Sequence, residues 1–105
     1  MKCGEIAVYF DVDGTLVRPF RGDHSPWGTM AALPHFEFNP RMVEEINTAK
    51  ARGHTVVVWS AGGAKWAEQV VDALNLRPQV DFILTKPNWY YDDQDASDFM
   101  RRIYV

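Results

Sequence analysis

The chain has 105 residues, which fits one domain and is too short for two, so we predict a single domain over residues 1–105. A net charge of −3 argues against a general binder of nucleic acid or anionic membranes. A single cysteine excludes a disulfide scaffold, no apolar run is long enough to span a bilayer, and the start lacks a signal-peptide pattern. We therefore expect a cytoplasmic protein without a membrane partner.

The first predicted strand covers residues 5–10, and an insert follows it. The unbroken apolar run EIAVYF is typical of a strand that is buried on both faces, as in parallel sheets. Residues 18–38 combine prolines and glycines with several aromatics, which favours an ordered loop or a small hairpin flap. Arg18 and Arg21 beside Trp27 could contact a substrate anion, although we favour solvated surface arginines.

Helices and strands alternate after the insert. Asn39 is suited to cap a first helix and Pro40 to begin it, and Gly53 is suited to end it. A second strand is predicted over residues 54–59 and a third over 80–85, with a helix over 64–76 between them. The predicted buried positions of the two helices are Val43, Ile46, Ala49, Ala64, Ala67, Val70, Val71 and Leu74.

The end of the chain is predicted to add one strand and one helix. Residues 88–93 are plausible as a fourth strand, and residues 94–105 as a short helix with Ala96, Phe99, Met100 and Ile103 inward. The alternation predicts an α/β fold, a Rossmann-like and mostly parallel sheet of about four strands flanked by helices. In such sheets ligands bind beyond the carboxyl ends of the strands.

Conspicuous polar side chains follow every predicted strand, so a parallel sheet would bring them to one edge. Mg²⁺ prefers one or two carboxylates with water and substrate phosphate. Asp11 and Asp92 could supply carboxylates from adjacent strands, and the backbone carbonyl of Asp13 could add an oxygen. The sequence therefore predicts a magnesium site at this edge.

The same edge carries groups suited to a phosphate. Lys86 is a point cation that could neutralise charge on a transferring phosphoryl group. Ser60 and the backbone N–H groups of Ala61 and Gly62 stand before a helix N-terminus, which favours anions. Asp11 could attack phosphorus as a nucleophile, and Asp13 could transfer protons to the leaving group and from water.

These residues resemble the four motifs of the haloacid dehalogenase (HAD) superfamily, in order and across nearly the whole chain. The motif DVDGTLV at residues 11–17 is its most specific part. The resemblance implies a Rossmann-like fold, Mg²⁺ dependence and an aspartyl-phosphate intermediate. Residue by residue, it implies Asp11 as nucleophile, Asp13 as general acid and base, Ser60 and Lys86 as phosphate ligands, and Asp92 and Asp93 as the acidic metal motif.

An aspartate two residues after the nucleophile is the pattern of phosphatases and phosphomutases in that superfamily. The resemblance therefore implies a capless Mg²⁺-dependent phosphatase that hydrolyses a phosphomonoester. Its phosphorylated substrate could be a small molecule or a macromolecular end, and a homo-oligomer could form. The alternative is a catalytically inactive HAD-fold module for binding or regulation.

Each candidate residue also has a plain structural interpretation. An Asp-Gly pair such as that at Asp13 is typical of turns, and Ser60 suits a helix cap. Lys86 in isolation would be a solvated surface lysine, and the aspartates at 92 and 93 could cap the last helix. We favour the functional interpretation because the motifs occur together.

Overall fold

The computed structural model describes residues 5–19 and 36–105. Strands and helices alternate through most of this part of the chain, as the sequence predicts. No helix among these residues is long and apolar enough to cross a membrane. In chain order the elements are β1 (Ala7–Asp11), β2 (Val17–Pro19), β3 (Phe36–Phe38), α1 (Pro40–Ala51), β4 (Thr55–Ser60), α2 (Ala64–Ala73), a 3₁₀ turn (Arg77–Gln79), β5 (Phe82–Thr85) and α3 (Ala96–Phe99).

The main sheet has three parallel strands in the order β1–β4–β5. Phe10 lies beside Val58, which in turn lies beside Ile83. The predicted α/β class with a parallel sheet flanked by helices is therefore confirmed. The predicted number of about four strands is wrong for the described residues, because β1 and β5 form the two edges of a three-stranded sheet.

Residues 88–93, predicted as the fourth strand, form no strand. Their hydrogen bonds are local: the Gln94 N–H donates to Asp92 Oδ1 over 3.0 Å, and the Ala96 N–H donates to the Tyr90 hydroxyl over 3.0 Å. Trp89 and Tyr91 are almost fully exposed. Strand propensity reflects packing on a half-buried surface, and without that packing the aromatic residues do not bring the segment into the sheet.

Strands β2 and β3 form a separate antiparallel pair at the two ends of the predicted flap. Val17 lies beside Phe38 and Pro19 beside Phe36. In this pair Arg18 Nε donates to Glu37 Oε1 over 2.7 Å, so its guanidinium is engaged within the hairpin. The rest of the flap prediction, including Arg21 and Trp27, lies outside the described residues.

Both long helices pack on one face of the main sheet. Strand residues Val8, Phe10, Val56, Val58 and Ile83 share that face by register and contact a single apolar core. Right-handed crossovers in one direction along the sheet place consecutive helices on the same side. The buried helix residues in this core are Met42, Ile46, Ala49, Trp66, Ala67, Val70 and Val71.

In the described part of the chain β1 therefore packs on the core through one face, and the prediction that it is buried on both faces is wrong. Phe10 is 7% exposed, whereas Tyr9 on the opposite face is 43% exposed. The predicted buried positions of the two helices are largely correct. Met42 and Trp66 are buried although they were not among those positions. Val43 and Leu74, which were, are only partly buried and pack against the core.

The last helix is shorter than predicted and its predicted inward face is not buried. Helix α3 covers only Ala96–Phe99. Phe99, Met100 and Ile103 are exposed by 56%, 42% and 77%. A short isolated helix is marginal in water and depends on tertiary packing for its stability. Because these side chains find no buried contact in the described structure, the helix ends after one turn.

Candidate functional site

Asp11 is the last residue of β1, and the chain turns sharply after it. The N–H groups of Leu16 and Val17 both donate to the Val12 carbonyl, over 2.9 and 3.2 Å, which closes a tight loop. Gly14 has a φ of 84°, a conformation that favours glycine. The Thr15 hydroxyl, carried by this loop, donates to Asp11 Oδ2 over 3.3 Å. The loop thus holds Asp11 at the carboxyl edge of the sheet.

Asp13 lies in a partly desolvated position next to a buried tryptophan. Trp66 is 1% exposed, and its indole Nε1–H donates to Asp13 Oδ1 over 2.8 Å. Burial is the largest cause that raises the pKa of Asp13, and the negative charge of Asp11 raises it further. Hydrogen bonds from Trp66 and Ser60 favour the charged form and oppose that rise in the pKa. The net result is a carboxyl group that holds its proton more readily than an ordinary aspartate.

Ser60 ends β4 and begins the turn that leads into α2. Its side chain is fully buried, and its hydroxyl accepts the Gly62 N–H over 3.0 Å. The Ser60 carbonyl accepts the N–H groups of Gly63 and Lys86 over 3.0 and 2.9 Å. This residue therefore ties together the ends of β4 and β5 and the start of α2. The amide of Gly62 is engaged with Ser60 in this arrangement.

Gly62 is packed closely against the aspartate site. A Cβ atom at this position would lie 3.2 Å from Trp66 Cδ1, 3.3 Å from Ser60 Oγ and 3.7 Å from Asp13 Oδ2. Only glycine leaves this space open without displacing a neighbour. The turn after β4 and the carboxyl group of Asp13 are consequently in direct proximity, as convergence at one sheet edge requires.

Lys86 lies in a groove that also reaches Asp11. The groove has a volume of about 900 Å³, and Thr15 and Trp59 line it as well. Lys86 Nζ lies 5.9 Å from the centroid of the Trp59 ring, within the range of a cation–π contact. The structure thus brings the nucleophile candidate and the cation candidate to one open groove.

Asp92 and Asp93 do not form a cluster with Asp11 and Asp13 in the described structure. Both residues are exposed, and Asp92 Oδ1 accepts a hydrogen bond within its own turn. Among residues 5–19 and 36–105, no group of three or more His, Cys, Asp or Glu side chains is placed to hold a metal ion. The assignment of this pair to a metal remains a prediction.

The donor chemistry of Asp11 and Asp13 is nonetheless compatible with Mg²⁺. Asp11 places a carboxylate at the end of β1, and the backbone carbonyl of Asp13 offers a second hard oxygen two residues later. Mg²⁺ is commonly bound through one or two carboxylates with several retained waters. These donors therefore fit such an ion and leave the Asp13 carboxyl group free for proton transfer.

Two residues of this site were not assigned a role from the sequence. The local sequence around Trp66 carries no sign of its bond to Asp13, which joins α2 to the loop after β1. Thr15 belongs to the DVDGT motif and contacts the nucleophile candidate. Its position four residues after Asp11 in a turn-forming sequence was the available signal.

Comparisons with known proteins find no relative for this chain. No protein-family profile, no curated protein and no solved structure matches it.

Proposed function

We propose that this chain is a Mg²⁺-dependent phosphatase of the haloacid dehalogenase type, with a Rossmann-like domain and no large cap. The observation that carries the proposal is the placement of Asp11 and Asp13 beside the Ser60–Gly62 turn at the carboxyl edge of a parallel sheet. This is the edge where α/β folds bind ligands, next to a helix N-terminus that favours anions.

In the first step a carboxylate oxygen of Asp11 attacks the phosphorus of a phosphomonoester. A bond forms between Asp11 and phosphorus, and the ester P–O bond breaks. Asp13 donates its proton to the leaving alcohol oxygen. The raised pKa of Asp13 supports this role, because it increases the fraction of the protonated acid near neutral pH.

In the second step water attacks the phosphorus of the Asp11 acyl phosphate. Asp13, now a carboxylate, takes a proton from that water, and the bond between Asp11 and phosphorus breaks to release inorganic phosphate. Lys86 lines the same groove as Asp11, where its positive charge offsets negative charge on the phosphoryl oxygens. A bound Mg²⁺ ion would supply further neutralisation of that charge.

A second candidate function is a phosphate-binding or regulatory module that has this fold without turnover. The observation that favours it is the separation of Asp92 and Asp93 from any acidic cluster in the described part of the chain. A module of this kind would bind phosphate esters at the Ser60 turn and leave them intact.

The first prediction tests the nucleophile. With Mg²⁺ present, the protein is expected to hydrolyse p-nitrophenyl phosphate, and Asp11→Asn should lower kcat by at least about a thousandfold because the amide is a poor nucleophile. A panel of small phosphomonoesters, phosphorylated oligonucleotides and phosphopeptides then defines the substrate class. Removal of the metal with a chelator should abolish the activity, and added Mg²⁺ should restore it.

The matched control is Glu44→Gln, an equivalent carboxylate-to-amide change at an exposed position of α1. It should retain full activity. Full activity in Asp11→Asn would show that the assigned nucleophile is wrong. Absence of turnover on the whole panel, together with measurable binding of the same esters by calorimetry, would favour the non-catalytic module.

A further inference from the structure

One face of the main sheet carries exposed apolar side chains. Tyr9 and Phe82 lie on either side of the buried Val57 in one row of the register, and Trp59 and Leu84 are neighbours in the next row of the same face. We call Tyr9, Trp59, Phe82 and Leu84 the open face. Tyr9, Phe82 and Leu84 are exposed by 43%, 57% and 41%. Parallel sheets are found almost only with both faces covered, and both described long helices lie on the opposite face of this sheet.

The open face continues into the C-terminal segment, residues 96–105. Tyr9 and Trp59 line the same groove as this segment. Within the segment Phe99, Ile103 and Tyr104 are exposed by 56%, 77% and 71%. The Arg41 guanidinium donates to the Tyr104 carbonyl over 3.4 Å, which holds the segment beside α1. The sheet face and the segment thus adjoin and form one surface, whose groove is also lined by charged residues such as Arg41 and Glu45.

The area of this surface approaches the requirement of a dimer. The six side chains named above are exposed by 41–77%, so at about 150–250 Å² for one large side chain they offer together roughly 500–850 Å². The largest apolar patch on a typical monomer is about 300–600 Å², whereas a stable interface buries about 800 Å² on each partner. Met100, Arg101 and Arg102 adjoin the aromatic residues in the segment, and aromatic, Met and Arg residues are those enriched at interfaces.

We propose that two copies of this chain associate through the open face and the C-terminal segment, related by a two-fold axis. A two-fold interface places the same patch against itself, so the patch must carry both members of each contact. Charges of both signs border this surface. Arg101 and Arg102 lie in the segment, while Asp95 and Asp98 stand at its start and Glu45 lines the groove. Reciprocal ion pairs can therefore form twice across the axis.

The proposed interface includes residues of the groove that Asp11 and Lys86 line, so the dimer would border the proposed catalytic site, but its test does not use activity. In size-exclusion chromatography with light scattering, the full chain should give twice the 12.0 kDa mass of one chain and dissociate on strong dilution. Phe82→Glu and Ile103→Glu should each shift the protein to the monomer mass at concentrations where the wild type is a dimer. Ala73→Glu is the control, since Ala73 is exposed on α2, which packs on the opposite face of the sheet, and it should leave the dimer intact.

Far-UV circular dichroism establishes that each variant retains the fold. Ile103 lies outside every helix and strand, so its substitution stays informative if Phe82→Glu does not fold. A monomer mass for the wild type at all concentrations would overturn the proposal, whatever else binds the surface. A dimer that survives both substitutions, or that is lost in Ala73→Glu instead, would overturn the assignment of this surface.

Discussion

Asp13 shows how a single side chain acquires its chemistry from neighbours that are distant in sequence. The DVDGT motif fixes its position after β1, but Trp66 comes from α2 and Ser60 from the end of β4. Burial raises the pKa of this carboxyl group, whereas the indole N–H favours its charged form. The balance between these effects sets how firmly Asp13 holds a proton.

Replacing Trp66 with Phe should therefore change both stability and proton affinity. The variant loses one hydrogen bond to a carboxylate, so we expect a loss of about 1–3 kcal/mol in the free energy of unfolding. The pKa of Asp13 should rise further, and the limb of the pH–rate profile that reports this group should move to higher pH. Trp89→Phe is the control, because Trp89 is 84% exposed, and it should change neither quantity. An unchanged pH profile in Trp66→Phe would contradict this account.

At the scale of single elements, α2 depends on the turn that precedes it. Gly63 occupies the N-cap position with φ 107° and ψ 156°, and it offers no side-chain cap. That backbone conformation is essentially restricted to glycine. The sequence predicted the helix from its apolar periodicity. The conformation of each glycine, and the packing of Gly62 against Trp66, required the structure.

Gly63→Ala should consequently destabilise the protein by about 1–3 kcal/mol, since a Cβ atom strains this backbone conformation although the space around it is open. The midpoint of denaturant unfolding should fall with little change in slope. Lys65→Ala, an exposed substitution in the first turn of the same helix, should stay within about 0.5 kcal/mol of the wild type. Equal stabilities of the two variants would show that the turn is not constrained.

At the scale of the whole molecule, one carboxylate joins the helical layer to the sheet. Asp81 Oδ1 accepts a hydrogen bond from Lys50 Nζ over 2.7 Å, and its Oδ2 accepts the Val56 N–H over 2.8 Å. These partners belong to α1 and β4, while Asp81 directly precedes β5. The hydrogen bond from Lys50 is the main cause that lowers the pKa of Asp81, and the Val56 N–H lowers it further.

A lowered pKa in the folded state means that Asp81 stabilises the fold above its ordinary pKa, 3.8, and that this contribution is lost as the pH falls through the folded-state pKa. Asp81→Asn should therefore be less stable than the wild type at neutral pH, and the difference should shrink in acid. Denaturant unfolding across this pH range measures the effect. Glu44→Gln should show no such trend, and a pH-independent deficit in Asp81→Asn would contradict the linkage.

The sequence by itself determined the α/β class, the parallel strands, both long helices and the placement of Asp11 at a strand end. Each of these follows from local signals: apolar periodicity, capping residues and glycine positions. Only the tertiary structure decided that residues 88–93 remain outside the sheet and that both helices cover one face. It also decided that Trp66 binds Asp13. These features depend on which surfaces meet, and local propensity carries no information about a surface contributed by a distant segment.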